Sequence, residues 1–130
     1  MTTGTKIFVF GSNLAGRHGA GAALFAKNNY GAIYGQGEGL QGCSYGIPTK
    51  DLKIKTLPLE DVKKHVDKFI EFATLHPELT FQLTPIGCGL AGYKPEQIAP
   101  MFEKVPENVI LPLEFLLCLN KYSLDNLKKI

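Results

Sequence analysis

The sequence predicts an α/β domain built on a mixed, largely parallel central sheet that is flanked by helices. Apolar runs typical of buried strands alternate along the chain with segments of helical periodicity. Two glycine-bearing loops, at residues 10–23 and 86–95, each follow such a strand and lead into a helix. The length of 130 residues fits one domain, which we expect to span residues 1–130.

The first part of the chain predicts a strand, a helix, a loop and a second strand. Residues 6–10 are apolar and lead into a polar Gly-Ser-Asn turn, as expected of a buried strand. Residues 20–28 are rich in alanine and predict a helix, which Gly31 would end. Residues 31–46 contain six glycines, so we expect turns and a mobile or ligand-lining loop there. Residues 45–50 resemble the end of a strand.

The second part of the chain predicts two helices, two strands and a terminal helical turn. The clearest helical period covers residues 59–75, with charged residues between the apolar ones. Residues 81–84 predict a strand, and residues 95–103 a helix that its internal proline should distort. Residues 109–119 are apolar enough for a buried strand, and residues 123–129 fit a terminal helical turn.

The overall composition excludes several broad classes of function. A net charge of +2 is too small to favour nucleic acid or an anionic membrane as a partner. No apolar run approaches the about 18 residues of a membrane span. The three cysteines are widely spaced and show no metal-ligand pattern, so we expect reduced thiols, no metal and no cofactor. With no signal-peptide pattern at residues 1–5, a cytoplasmic location is expected.

The first glycine loop gathers polar side chains beside residues that permit close backbone approach. Asn13 ends the predicted strand, so we expect its amide to project into a crevice, and Arg17 and His18 follow. His18 is a candidate general acid or base, or a donor to phosphate. The spacing fits neither a Walker loop nor the dinucleotide-binding pattern, and a tight turn without ligand is the alternative. The ligand-binding candidates here are Gly11, Ser12, Asn13, Arg17, Gly19, Ala20 and Gly21.

The second glycine loop has a similar plan. Glycine lets backbone N–H groups approach a ligand closely, so the two loops together predict a clamp on one diphosphate. Cys88 is either a nucleophile or, with no base in view, a buried structural thiol. Tyr93 either lines the lip of the crevice or packs in the core, and Lys50 ends an extended segment. The candidates in this loop are Gly87, Cys88, Gly89, Leu90, Ala91 and Tyr93.

These stretches resemble the macrodomain family, which binds ADP-ribose. The branch they are most similar to removes ADP-ribose from glutamate, as a terminal ADP-ribose protein glycohydrolase. That branch has Gly-Ala-Gly before its first helix, a strand ending in Thr-Lys, and Ile-Gly-Cys-Gly-Leu in its second loop. This chain has the matching runs, in the same order, at residues 19–23, 47–50 and 86–90. The resemblance implies a compact three-layer macrodomain-like fold and covers residues 6–104.

The resemblance also implies roles for individual residues. Asn13 would contact the distal ribose, with Tyr93 near it, and the two loops would wrap the diphosphate. Lys50 matches the catalytic lysine that attacks the anomeric carbon of that ribose. The candidate catalytic residues are therefore Lys50, Asn13 and His18, and the partner would be ADP-ribose or an ADP-ribosylated protein.

Two departures from the family pattern leave the activity open. The branch places an aspartate after Gly-Cys-Gly-Leu, where this chain has Ala91. The aspartate that binds adenine in macrodomains has no counterpart here. We expect hydrolysis of an ADP-ribosyl linkage or of ADP-ribose phosphate, with a catalytically inactive ADP-ribose or nucleotide-derivative binding module as the alternative. A protein-interaction domain with a vestigial crevice is a third possibility.

Overall fold

A computed structural model describes residues 4–121 and 123–130, and its strands form one sheet. The strands are β1 Thr5–Asn13, β2 Gly39–Gln41, β3 Ser44–Lys50, β4 Leu79–Leu83 and β5 Val109–Ile110. Their order in the sheet is β2-β3-β1-β4-β5. The pair β2–β3 is antiparallel, whereas β1 pairs in parallel with β3 and β4, and β4 with β5. The predicted fold class, a mixed and largely parallel sheet in an α/β domain, is thus confirmed.

Helices cover both faces of this sheet. They are α1 Gly21–Asn29, α2 Leu59–Leu75, α3 Pro95–Ile98 with a following 3-10 turn Ala99–Phe102, α4 Leu113–Cys118 and α5 Leu124–Lys129. Residues of β1 alternate between two apolar clusters, because successive side chains of a strand point to opposite faces. Ile7 and Val9 join the main core, which α2 and α4 complete with buried aromatic rings. Phe8 and Phe10 join a smaller cluster beneath α1.

The prediction of one strand over residues 109–119 is wrong. Strand β5 ends at Ile110, and the chain turns through Pro112 into α4. Within α4, Phe115 and Leu116 are buried whereas Leu113 and Leu117 are exposed, which is a helical pattern of burial. A short continuous apolar run does not distinguish a buried strand from a buried helix, so packing decided the outcome.

The remaining elements lie close to their predicted positions. The distortion predicted within residues 95–103 is real, because α3 gives way to the 3-10 turn around Pro100. The glycine-rich segment 31–46 contains β2, which pairs with β3. Across the described ranges, no helix combines the length and apolar character needed to cross a bilayer.

Candidate functional site

A cleft opens at the edge of the sheet where the parallel strands end. Asn13 closes β1, Lys50 closes β3 and Leu83 closes β4, so the loops after these strands meet at one edge. Ligands of open α/β sheets bind at this edge. The volume of the cleft is about 710 Å³, within the range of small-molecule sites.

Both glycine loops line this cleft, and so does Lys50. Most of the residues predicted from sequence as a binding site are therefore brought together; His18 and Tyr93 are not among the lining residues. The lining residues that the sequence predicted are Gly11, Ser12, Asn13, Arg17, Gly19, Ala20, Gly21, Lys50, Gly87, Cys88, Gly89, Leu90 and Ala91.

One wall of the cleft is the N-terminus of α1. The first-turn N–H groups of a helix have no acceptor within the helix, and Ala20, at the N-cap, has no side chain to cap them. Within the described part of the chain, the N–H groups of residues 19–23 donate no hydrogen bond. These free N–H groups, together with the helix dipole, make this wall attractive to an anion.

The opposite wall is the second glycine loop, and it also presents free amides. Gly87 and Gly89 accept hydrogen bonds through their carbonyls, from Tyr93 N and Gly92 N at 2.8 Å and 3.0 Å. The N–H groups of Gly89 and Leu90, by contrast, have no acceptor among the residues that the structure describes. Leu90 also extends a methyl group toward Gly21 on the first wall. The two loops therefore face each other closely, with unsatisfied donors on both sides.

The glycines of these loops fall into two groups when a Cβ atom is built on each. At Gly16 the new atom would lie 2.3 Å from the carbonyl carbon of Gly35, and Gly87 has a φ of +77° beside Ile98. Both have structural reasons to be glycine. Gly19 and Gly89 have ordinary φ angles, and no atom of the described residues lies within 4 Å of the added atom. Their missing side chains instead leave open space in the cleft.

Asn13 is placed differently from the prediction. Its side chain is buried, and both amide atoms bind the main chain of Arg17: Nδ2 donates to Arg17 O and Oδ1 accepts from Arg17 N, each at 2.9 Å. Asn13 does line the cleft, but its amide is not free as expected, because it is hydrogen-bonded within the first loop. The side chain thereby holds this loop in shape, and each amide atom keeps capacity for one further hydrogen bond.

Two cations line the cleft without a carboxylate partner. Lys50 is half-buried and Arg17 is exposed, and neither forms an ion pair among the described residues. Unpaired cations beside free amides favour an anionic ligand such as a diphosphate. Lys50 also lies opposite Asn13 in the parallel register of β1 and β3.

His18 does not reach the cleft, which corrects its prediction as a catalytic or phosphate-binding residue. The ring is fully buried, and Nε2 lies 2.9 Å from Gln36 O and 3.1 Å from Gln41 Oε1. Because Gln41 Oε1 also accepts from Ile33 N, both partners of Nε2 are acceptors, and His18 is the donor. His18 thus fastens the glycine-rich segment 31–41 to the first loop.

Tyr93 also has a structural role. Its hydroxyl donates to Leu57 O at 2.6 Å, and its ring packs against the main core. Of the two alternatives considered for Tyr93, packing in the core is the one the structure adopts. The hydrogen bond ties the end of the second loop to the segment that follows β3.

Cys88 lines the cleft but is poorly suited to act as a nucleophile. Burial, with a smaller contribution from the charge of Glu114, raises the pKa of its thiol to about 11. The thiol is therefore protonated at neutral pH, and the thiolate is the reactive form. Cys88 fits the structural alternative, and no disulfide joins Cys43, Cys88 or Cys118.

Several lining residues were not predicted from the sequence. Glu114 lies in the first turn of α4, and the strand predicted over residues 109–119 gives no reason to place it at the cleft. Ile54 lies in a turn after β3, where no local pattern pointed to a site. Ala22, Ala23, Ile86 and Pro95 lie within the two glycine loops, although the sequence did not single them out as ligand-binding candidates. Thr49, Thr84 and Pro85 adjoin Lys50 or the start of the second loop. The missed lining residues are Ala22, Ala23, Thr49, Ile54, Thr84, Pro85, Ile86, Pro95 and Glu114.

Comparisons with known proteins bear on the fold alone. No protein-family model matches this chain, and no curated protein is detectably similar to it in sequence. A solved structure of a protein of unknown function from Bacteroides thetaiotaomicron is similar to this fold, with a TM-score of 0.57 and 17% identity. The match covers 79% of this chain and 81% of that chain. At this level of identity, the likeness shows a shared architecture.

Proposed function

We propose that the cleft binds ADP-ribose or a related nucleotide derivative, with the diphosphate held between the two glycine loops. The observation that carries this proposal is the pair of facing walls with free N–H groups, where Gly19 and Gly89 lack any structural reason to be glycine. A diphosphate offers acceptor oxygens to both walls at once. A single phosphate would satisfy fewer of these donors.

The charges and the macrodomain-like motifs support the same ligand. Lys50 and Arg17 line the cleft, form no ion pair with any residue that the structure describes, and would neutralise part of the diphosphate charge. The motif order that resembles macrodomains maps onto the walls themselves, at residues 19–23 and 86–90, and onto the strand end at Lys50. Fold, charge and motif position are all consistent with an ADP-ribose-type ligand, free or attached to a protein.

We further propose that Lys50 hydrolyses an ADP-ribosyl linkage or ADP-ribose phosphate. For an ADP-ribosylated glutamate, the unprotonated amine would attack the anomeric carbon of the distal ribose as the bond to the glutamate oxygen breaks. The glutamate would leave with the bonding electrons and the amine would lose its proton to solvent. Water would then attack the same anomeric carbon, the C–N bond would break with its electrons returning to the lysine nitrogen, and the water would lose a proton to solvent, which releases ADP-ribose and restores the free amine.

A catalytically inactive binding module is the second candidate, and Ala91 favours it. Thr56 bridges to Lys50 across a short antiparallel contact and donates from Oγ1 to Ala91 O at 2.8 Å. Ala91 therefore contacts the residue that pairs with Lys50, yet position 91 carries no carboxylate to assist proton transfer. General acid–base assistance is worth about 10²–10⁴-fold, so turnover without it would be slow.

Calorimetric titration with ADP-ribose, ADP and AMP tests the binding proposal. We expect ADP-ribose to bind more tightly than AMP. Gly19→Val and Gly89→Val should each weaken binding by about 10- to 150-fold, because a lost charge-assisted hydrogen bond costs about 1.5–3 kcal/mol. Thr80→Val is the matched control, because Thr80 lies on β4 and is not among the residues that line the cleft. Wild-type affinity in either folded glycine variant would contradict the two-loop clamp.

Turnover assays separate the two candidate functions. Wild type, Lys50→Ala and Ala91→Asp are compared on a peptide carrying ADP-ribosyl glutamate and on ADP-ribose phosphate. The enzyme proposal expects slow wild-type turnover, none in Lys50→Ala and faster turnover in Ala91→Asp. Measurable turnover that is equal in wild type and Lys50→Ala would refute the role of the lysine. Binding without turnover in all three would select the binding module.

A further inference from the structure

Ile54 combines a strained backbone with a place in the cleft. Its φ angle is +63°, in the left-handed region that a β-branched residue rarely occupies. Its side chain is half-buried and lines the same cleft as Lys50. Residues held in such conformations cluster at functional sites, because surrounding structure must be built to maintain them.

Hydrogen bonds among residues 51–55 hold the turn that contains Ile54 in one conformation. Asp51 N donates to Lys55 O at 2.7 Å, and Ile54 N donates to Asp51 O at 3.1 Å. The Asp51 carboxylate accepts from Lys53 N at 2.8 Å and from Lys55 N at 2.9 Å. These hydrogen bonds, chiefly the one from Lys55, lower the pKa of the Asp51 carboxyl group. The loop therefore closes on its own aspartate and forces residue 54 into the left-handed conformation.

The same turn is also anchored to its surroundings on its C-terminal side. Thr56 pairs with Lys50, and Leu57 N donates to Thr49 O at 2.9 Å. Thr56 Oγ1 reaches across to Ala91 O, which ties the turn to the second glycine loop. Because both sides are fixed, the backbone at Ile54 cannot relax without breaking several hydrogen bonds, and the side chain stays in the cleft.

We propose that Ile54 is an apolar wall for the terminal sugar of a nucleoside-diphosphate sugar, and that it covers the amine of Lys50. The inference rests on the proposed function and deepens it, because it assigns the ligand part beyond the diphosphate. Near Lys50, an aliphatic side chain would pack against the carbon face of a sugar and exclude water. ADP, which has no terminal sugar, would not contact this wall.

The test compares affinity for ADP-ribose and ADP in wild type, Ile54→Ala, Ile54→Gly and Ile54→Leu. We expect Ala and Gly to lower the preference for ADP-ribose by about 5- to 30-fold, with affinity for ADP unchanged and the preference restored by Leu. Leu52→Ala, in the same turn but outside the cleft lining, is the matched control. An unchanged preference in both truncated variants would overturn the role in sugar binding.

Two further readouts need no ligand. Ile54→Gly should melt about 2–6 °C above Ile54→Ala, because only glycine adopts the positive φ angle without strain. At a residue with an ordinary φ angle, the alanine variant would be the more stable of the two. Acetylation of Lys50, quantified by mass spectrometry against Lys53, should be faster in both truncated variants.

The two proposals can fail separately. If wild type binds neither ADP-ribose nor ADP, the proposed function fails. An acetylation rate of Lys50 that is unchanged in the truncated variants would overturn the proposal that Ile54 covers its amine.

Discussion

Replacing Gly16 by alanine should destabilise the fold strongly, whereas the same change three residues later should not. Gly16 has a φ of +71°, and an added Cβ would lie 2.3 Å from Gly35 C and 2.6 Å from Gln36 N. Both contacts are with backbone atoms, which cannot rotate out of the way. Gly35 N also donates to Gly16 O at 2.8 Å, so the two segments are fastened together at this point.

The expected magnitude follows from two costs that add. A left-handed φ at a residue with a Cβ costs about 1–2 kcal/mol. Forcing the 33–37 segment away from the first loop is an overpacking change, typically about 1–3 kcal/mol. The sum of about 2–5 kcal/mol corresponds to a loss in Tm of roughly 8–20 °C for a domain of this size. Gly19→Ala meets nothing within 4 Å and should change stability by less than about 1 kcal/mol.

Urea denaturation and thermal melting followed by circular dichroism measure both variants beside wild type. The pair is informative because the two glycines share one loop and one kind of substitution. We expect Gly16→Ala to lower the midpoint of unfolding and Gly19→Ala to leave it nearly unchanged. Equal stability of the two variants would refute the claim that the first loop is clamped by residues 33–37.

Two other predictions concern residues outside the cleft. Tyr93→Phe should lower the free energy of unfolding by about 0.5–1.5 kcal/mol, because the hydrogen bond to Leu57 O is lost, and should leave nucleotide affinity unchanged. Weakened binding in calorimetry would show instead that Tyr93 contributes to the binding site. Burial, and secondarily the charge of Glu38, raises the pKa of Tyr45 to about 12. Because unfolded tyrosine ionises near pH 10, stability should fall as pH rises from about 10 to 12, and Tyr45→Phe should flatten that fall. Parallel stability profiles for wild type and Tyr45→Phe would contradict this assignment.

Much of the site was predictable because it depends on where strands end. Apolar runs followed by glycine loops placed residues 10–23 and 86–95 at one edge of a parallel sheet, and Lys50 at the end of the strand beside them. The orientation of side chains was less predictable. Asn13 lines the cleft, but no local pattern predicted that both of its amide atoms would bond to the main chain of Arg17, four residues later in the same loop.

Local patterns in the chain are enough to predict the alternation of strands and helices, and with it the parallel edge where the two glycine loops meet. Those features arise from local periodicity and from glycine, which act over a few residues. Tertiary structure decided that residues 113–118 form a helix, that His18 is buried against Gln36 and Gln41, and that Ile54 is held with positive φ. Each of these outcomes depends on packing or on a network of hydrogen bonds with segments elsewhere in the chain, such as the contact between His18 and Gln41. A local pattern cannot predict such partners, because the interactions between distant segments form only once the chain has folded.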